Sequence, residues 1–370
     1  MHEDQIELRP RPHRSLRRPG ISPRHDRWFN LALATLIALF GVGWVFALTT
    51  SARADGTPVL TSALSENPLA PDAQPPVVFL LDAAVRAVAG SVGYRGESGA
   101  VRVIVRQPDD SLSLADSLPP GVRIEYAPLG RDAPQAVPAT SGSGIWNVLL
   151  RVSDAARTVP DLAVIDLVPL SEKRNGHIGG YLIGSWPYER SGRPWIPAYA
   201  PPAGLIRVTP ENQDVHVSEH FRLRDFLTKG QEDVWPKYVA MSPKLLDKLE
   251  LTIQTLQATG TPVAHVGVIS GFRTPSYNEG GGDTGGRGAL SRHMYGDAMD
   301  WFVDNDRNGR MDDLNGDGRV DTGDGRRIVA AAEQVEREHP ALVGGIGLYR
   351  PTGAHAGFVH IDTRGYRARW

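Results

Sequence analysis

Hydrophobic positions fall into three regimes along the chain. Residues 29–48 (FNLALATLIALFGVGWVFAL) carry no charge. Twenty such residues span about 30 Å as a helix, the thickness of a bilayer core, and this run lacks the polar stripe of a buried globular helix. From 76 to 205 the pattern shortens to alternating stretches: Val101, Val103 and Val105; Val122, Ile124 and Tyr126; Ile145, Val148 and Leu150; Leu162 and Val164; Tyr181 and Ile183. Pro, Gly and Asp clusters separate them at the spacing of a β-sandwich. In the third regime, 206–370, Leu246, Leu249, Ile253 and Leu256 form a helical stripe opened by Ser242 and Pro243 and closed by Gly260. An apolar strand over 263–269, a helix over 328–335 ending before Pro340, and strands over 345–349 and 358–363 come after it. That order predicts an α+β domain on an antiparallel sheet.

Charge placement orients the first regime. Seven Arg stand among the first 28 residues against four acids, which keeps that end cytoplasmic and exports the rest of the chain. Ala52, Arg53 and Ala54 supply a small-x-small cleavage pattern, while the long basic leader and long apolar run suit an uncleaved anchor in the inner membrane equally well. Residues 1–54 therefore read as a basic leader plus signal peptide or signal anchor, and 55–75, rich in Pro, Ser and Ala, as a linker.

Composition narrows the chemistry. The chain has no cysteine, which removes disulfide scaffolds, thiolate metal sites and cysteine nucleophiles. A net charge of −2 offers no basic field for nucleic acid. Any metal must be held by His, Asp, Glu or backbone oxygen. The 76–205 module groups no such residues and reads as a structural or substrate-presenting unit; a weaker reading makes it the core of a calcium-dependent adhesion protein.

The chemistry concentrates in 206–370. Ser270, Gly271, Phe272 and Arg273 end the apolar strand, and a Gly-rich loop over 280–288 comes next. Beyond it lies a Ser-x-His-x-x-Gly-x-Ala-x-Asp run through Ser291, His293, Gly296, Ala298 and Asp300. Near the end stand Val359, His360 and Asp362. Alternation buries Val359 and Ile361 and puts His360 and Asp362 on the other strand face; Ala298, Asp300 and Phe302 likewise share a face. Two imidazoles and a carboxylate with an open fourth position suit a catalytic zinc. His265, inside the apolar strand, reads as a packed residue.

Taken together, these segments resemble the zinc D-alanyl-D-alanine carboxypeptidases and murein endopeptidases, the LAS-type metallopeptidases related to lysostaphin-type enzymes and the hedgehog domain. The resemblance covers about 210–370, with the motifs in the family's order, and no HExxH motif competes. It implies His293, Asp300 and His360 as zinc ligands, Arg273 as the group that binds a substrate carboxylate or steadies an oxyanion, and peptidoglycan stem peptides or cross-links as the partner. The 217–226 segment resembles the opening of many members, with His220 structural. Members with a Glu three residues before the last His use it as general base; here that position is Gly357. The acid–base role then passes to Asp362, which also suits orienting a ligand or pairing with Arg364, or to His355. The Val-His-x-Asp ending favours the endopeptidase branch. The missing Glu leaves open a protein that holds zinc and docks cell-wall peptide without cutting it.

An acidic insert over 304–324 lies beyond the Asp300 strand. Asp304, Asp306 and Asn308, then Gly309 and Met311, place oxygens at loop positions one, three and five, Gly at six and an apolar residue at eight. Asp313, Asn315, Asp317, Gly318 and Val320 repeat the pattern, and Asp321 and Asp324 complete it. Such alternation points to calcium in compact dockerin- or thrombospondin-type loops rather than paired EF-hands.

Overall fold

Alternating β-branched residues build the first sheet. The structure, a computed structural model, describes residues 96–107, 121–129, 142–152, 155–189, 197–281, 287–353 and 355–370. The leader, hydrophobic run and linker (1–75) and the start of the expected β module lie outside the described residues. Contacts divide the chain into Met1–Glu66 and Asn67–Trp370, and all described residues belong to the second unit. Among them, no helix is long and apolar enough to cross a membrane.

Strands β1 (Val103–Arg106), β2 (Val122–Pro128), β3 (Gly144–Val152) and β4 (Ala155–Asp166) form one four-stranded sheet of order β1-β4-β3-β2. β1 joins β4 in parallel and the other pairs are antiparallel. Among the described residues of 96–166 this is the one sheet, and its Val103, Ile145, Ala163 and Ile165 join the same apolar core as the C-terminal helices and strands.

Strands β5 (Val168–Pro169), β6 (His177–Ile178), β7 (Tyr181–Leu182), β8 (Gly204–Val208) and β9 (Lys237–Val239) come next. β5, β8 and β9 make a three-stranded antiparallel sheet, and β6 with β7 a short hairpin. β8 straddles the expected 205/206 boundary. Trp186 Nε1 donates to the Met294 carbonyl at 2.7 Å, tying this stretch to the C-terminal half.

Helix α1 (Pro243–Ala258) forms where the stripe predicts it, with Leu246, Leu249, Ile253 and Leu256 buried. Ser242 occupies its N-cap, although its side chain accepts no capping bond. Strand β10 (Val266–Ser270), the short helix α2 (Pro275–Gly280), strand β11 (Ala298–Val303), helix α3 (Thr322–Glu338), and strands β12 (Gly345–Tyr349), β13 (Phe358–Asp362) and β14 (Ala368–Arg369) complete the chain. The five strands form a sheet of order β10-β11-β13-β12-β14, antiparallel except for β12 with β14. This mixture of helices with several antiparallel sheets agrees with the α+β reading.

Helix α3 starts six residues before Ile328. The cause is a capping box in which Asp321 accepts from the Gly323 N–H and Asp324 accepts from the Asp321 N–H. Helices α1 and α3 pack together across the sheet, with Val359 and Leu348 against Gly325. That covers one sheet face and leaves the other for the polar residues.

Candidate metal centre

Strand register assembles the centre. Asp300 of β11 lies opposite His360 of β13, and Ala298 lies opposite Asp362. On the other side Ser270 lies opposite Asp300, after a bulge between Val268 and Ser270 that turns the serine beside the carboxylate. His293 arrives on a 3₁₀ turn, Arg292–Tyr295, that ends at Gly296 with φ 72°. A side chain at 296 would be strained in that left-handed conformation and would meet the Ala240 backbone, so the motif's glycine is a packing requirement.

The donor atoms converge. His293 Nε2 lies 3.2 Å from both His360 Nδ1 and Asp300 Oδ1, and His360 Nδ1 lies 2.7 Å from Asp300 Oδ1. All three residues are buried. Each imidazole is fixed from behind. His293 Nδ1 donates to the Gly271 carbonyl at 2.6 Å, leaving its Nε2 lone pair inward. His360 Nε2 pairs with Asp362 Oδ2 at 3.1 Å, leaving Nδ1 inward. Outer partners of this kind set ring tautomer and orientation at metal sites. Three buried lone-pair atoms facing one another fit a cation among them: the group could hold a metal ion.

Electrostatics agree. Burial disfavours the charged form of His293 and lowers it against the pull of Asp300. Burial also opposes charge on His360, but hydrogen bonds to Asp300 and then Asp362 outweigh it and push the ring up to about 9. Burial alone would raise Asp300, yet His293 and His360 hold it well below the usual carboxylate range. The site therefore keeps an ionised carboxylate and attracts positive charge.

The other expected site residues separate. Arg273 Nη2 binds Asp300 Oδ2 at 2.7 Å and its Nε donates to Ser270 Oγ at 2.8 Å, so it braces a candidate ligand while also lining the cavity. Asp362 is fully buried and is not among the residues lining that cavity. Its oxygens accept from His360, the Gly345 N–H, and the Arg364 N–H and guanidinium. A side chain at Gly344 or Gly345 would collide with it. Such a carboxylate orients His360, and nothing in its surroundings lets it take a proton from a reacting group. His355 does line the cavity; its Nδ1 donates to the Ala356 carbonyl at 2.8 Å and its ring lies 5.0 Å from Phe358. His220 pairs with buried Glu250 at 2.8 Å and His265 Nδ1 donates to the Asp304 carbonyl at 2.9 Å, both structural as expected.

The cavity holds about 880 Å³. Asp300 is the single carboxylate among the described residues that line it, whereas Lys229, Arg273, Arg287, Arg292 and Arg364 all do.

The acidic insert forms two loops with one hydrogen-bond pattern. Asp304 accepts from the Asn308 and Gly309 N–H groups, as Asp313 does from those of Asp317 and Gly318. Asn308 accepts from Arg310 and Asp317 from Arg319. In the first loop Asp304 and Asp306 group with Asp312 as a second set that could hold a metal ion. Asp312 is absent from the sequence expectation, although loop position nine carries a ligand in calcium loops. Asp313 and Asp317 fall outside that set of carboxylates. Asp321 and Asp324 cap helix α3: Asp324 is fully buried and accepts from Leu314, Asn315 and Asp321 N–H groups.

No family model, curated protein or solved structure matches the chain.

Proposed function

We propose that this chain is a zinc-dependent murein peptidase of the D-alanyl-D-alanine carboxypeptidase and murein endopeptidase class, exported to the periplasm and acting on stem peptides or cross-links of peptidoglycan. The observation that carries this reading is the buried triangle of His293, Asp300 and His360, each imidazole held from behind, at the wall of a large cavity. His293, Asp300 and His360 would hold zinc, which would supply a Lewis acid and an acidified water at neutral pH. Arg273, braced by Asp300 and Ser270, presents a fixed positive charge to the developing oxyanion. His355 carries the proton, because its Nδ1 is already committed to a backbone carbonyl and Nε2 is left as base. Asp362 and Arg364 hold His360 in place. Residues 29–48 either leave with a cleaved signal or keep the protein at the inner membrane, and the four-stranded sheet is a structural or substrate-presenting module.

The test is digestion of cross-linked muropeptides by zinc-loaded protein, with products weighed by mass spectrometry. One bond hydrolysed per cross-link or stem, abolished by a chelator, is the expected result. A specific observation favours a second reading: Asp300 is the lone carboxylate lining the described cavity and residue 357 is Gly. Muropeptides that bind but emerge intact would make the chain a zinc-holding cell-wall peptide receptor.

Calcium is the second metal of the proposal, held by the Asp304, Asp306 and Asp312 group and stiffening the strand that carries Asp300. Millimolar calcium added to chelated, zinc-reloaded protein is expected to raise Tm by roughly 5 °C or more. An unchanged melting curve removes calcium from the account.

A further inference from the structure

Charge around the cavity divides into paired and unpaired cations. Arg273 is matched by Asp300 at 2.7 Å, Arg292 by Asp297 at 2.5 Å, and Arg364 by Asp362. Lys229 and Arg287 have no carboxylate partner among the described residues, yet both line the same cavity. Arg287 is also preorganised: its guanidinium stacks 4.1 Å from the Tyr277 ring centroid and Nη1 donates to the Tyr277 carbonyl at 2.8 Å. One edge of the planar fork is thereby fixed to the backbone and the rest is free for an acceptor.

The resemblance implies that Arg273 binds a substrate carboxylate or steadies an oxyanion; its charge is matched by Asp300 and its Nε donates to Ser270, which suits the oxyanion role. Unmatched cations in a cleft select ligands of opposite sign and draw them in from solution. We propose that Arg287 and Lys229 form a carboxylate subsite, so that the cavity takes an acidic peptide: one whose free carboxylate sits beside the segment presented to His293, Asp300 and His360. Arg287 supplies the geometry, since a stacked planar fork suits two carboxylate oxygens. Lys229, exposed and on a flexible stem, supplies a second charge without fixed geometry. This inference deepens the proposed function and rests on that cavity being the peptide site.

Two peptides test it by calorimetry on the zinc-loaded protein. One is N-acetyl-Ala-Glu-Ala-Ala-Ala with free carboxylates; the other has Gln in place of Glu and a C-terminal amide. The free-carboxylate form is expected to bind about tenfold tighter, the size of one charge-assisted hydrogen-bonded pair. Arg287→Gln and Lys229→Gln each remove severalfold of that preference and leave the amide form unchanged; Arg287→Lys restores part of it. Raising salt narrows the gap. Equal binding of both peptides, or an equal loss on both in the variants, overturns the subsite and leaves the peptidase reading standing. Selective binding with neither peptide cut, and muropeptides likewise intact, supports the subsite and overturns hydrolysis. Failure of both peptides to bind overturns the subsite and the cavity's peptide role together.

Discussion

His355→Ala is expected to lower kcat on muropeptides by about 10²–10⁴, the usual range for removing a general acid or base. Zinc content and KM are expected to stay within a few-fold, since His355 lies outside the His293, Asp300 and His360 group. The assignment rests on elimination within the cavity. The remaining polar groups that line it are hydroxyls, an ammonium and guanidiniums, none of them a usual general base, and His293, Asp300 and His360 face one another. His355 is left, anchored through Nδ1 to its neighbouring carbonyl. Asp362→Asn provides the contrast: it touches His360 and not the cavity, so it is expected to lower zinc affinity by about 10–100-fold while kcat at saturating zinc changes little. Active-site titration with zinc at several concentrations separates the two. A His355→Ala protein of undiminished kcat, with Asp362→Asn inert at saturating zinc, would move the proton transfer back to Asp362.

Glu336→Ala is expected to destabilise the fold by about 3–5 kcal/mol, the cost of leaving one member of a buried ion pair behind. Lys248 of α1 is fully buried and its Nζ donates to Glu336 at 2.7 Å and to the Asp362 carbonyl at 2.7 Å. Glu336 also accepts from the Gly344 N–H at 2.9 Å and from the Arg369 guanidinium. Removing the carboxylate strands an ammonium with one carbonyl partner and frees the segment that cradles Asp362. Burial already lowers Lys248 below its ordinary value of 10.5, and Glu336 opposes that shift. Without Glu336 the folded-state value drops further. The unfolded chain then binds more protons than the folded one between the lowered value and 10.5, so the deficit is greatest near neutrality and shrinks as pH rises toward 10.5. Urea unfolding at neutral and alkaline pH measures both parts, and a loss below about 1 kcal/mol or one independent of pH would contradict this account.

Much of the candidate metal centre was legible in the spacing of its residues. A strand period of two put His360 on one face, and the spacing from His293 to Asp300 marked a turn entering a strand. The capping box that begins α3 was not read there: Asp321 and Asp324 read as loop ligands, because both roles use carboxylates spaced among glycines. Lys248 falls within the buried stripe of α1, between Leu245 and Leu249, where helical phase alone marks an oddity without naming its partner 88 residues away.

The sequence by itself determined the residue types and local periods: the helix of Leu246 to Leu256, the strands bearing Asp300 and His360, and the absence of thiolate chemistry. These are consequences of spacing along a helix or strand. The tertiary structure decided everything that depends on which strands become neighbours. Register set Asp300 opposite His360, the first sheet shares its core with helices and strands from the C-terminal half, and Arg364 with Gly345 closed around Asp362 to make it an orienting carboxylate. Whether a buried carboxylate takes a proton or holds a ligand depends on what surrounds its oxygens, and those neighbours arrive from distant parts of the chain.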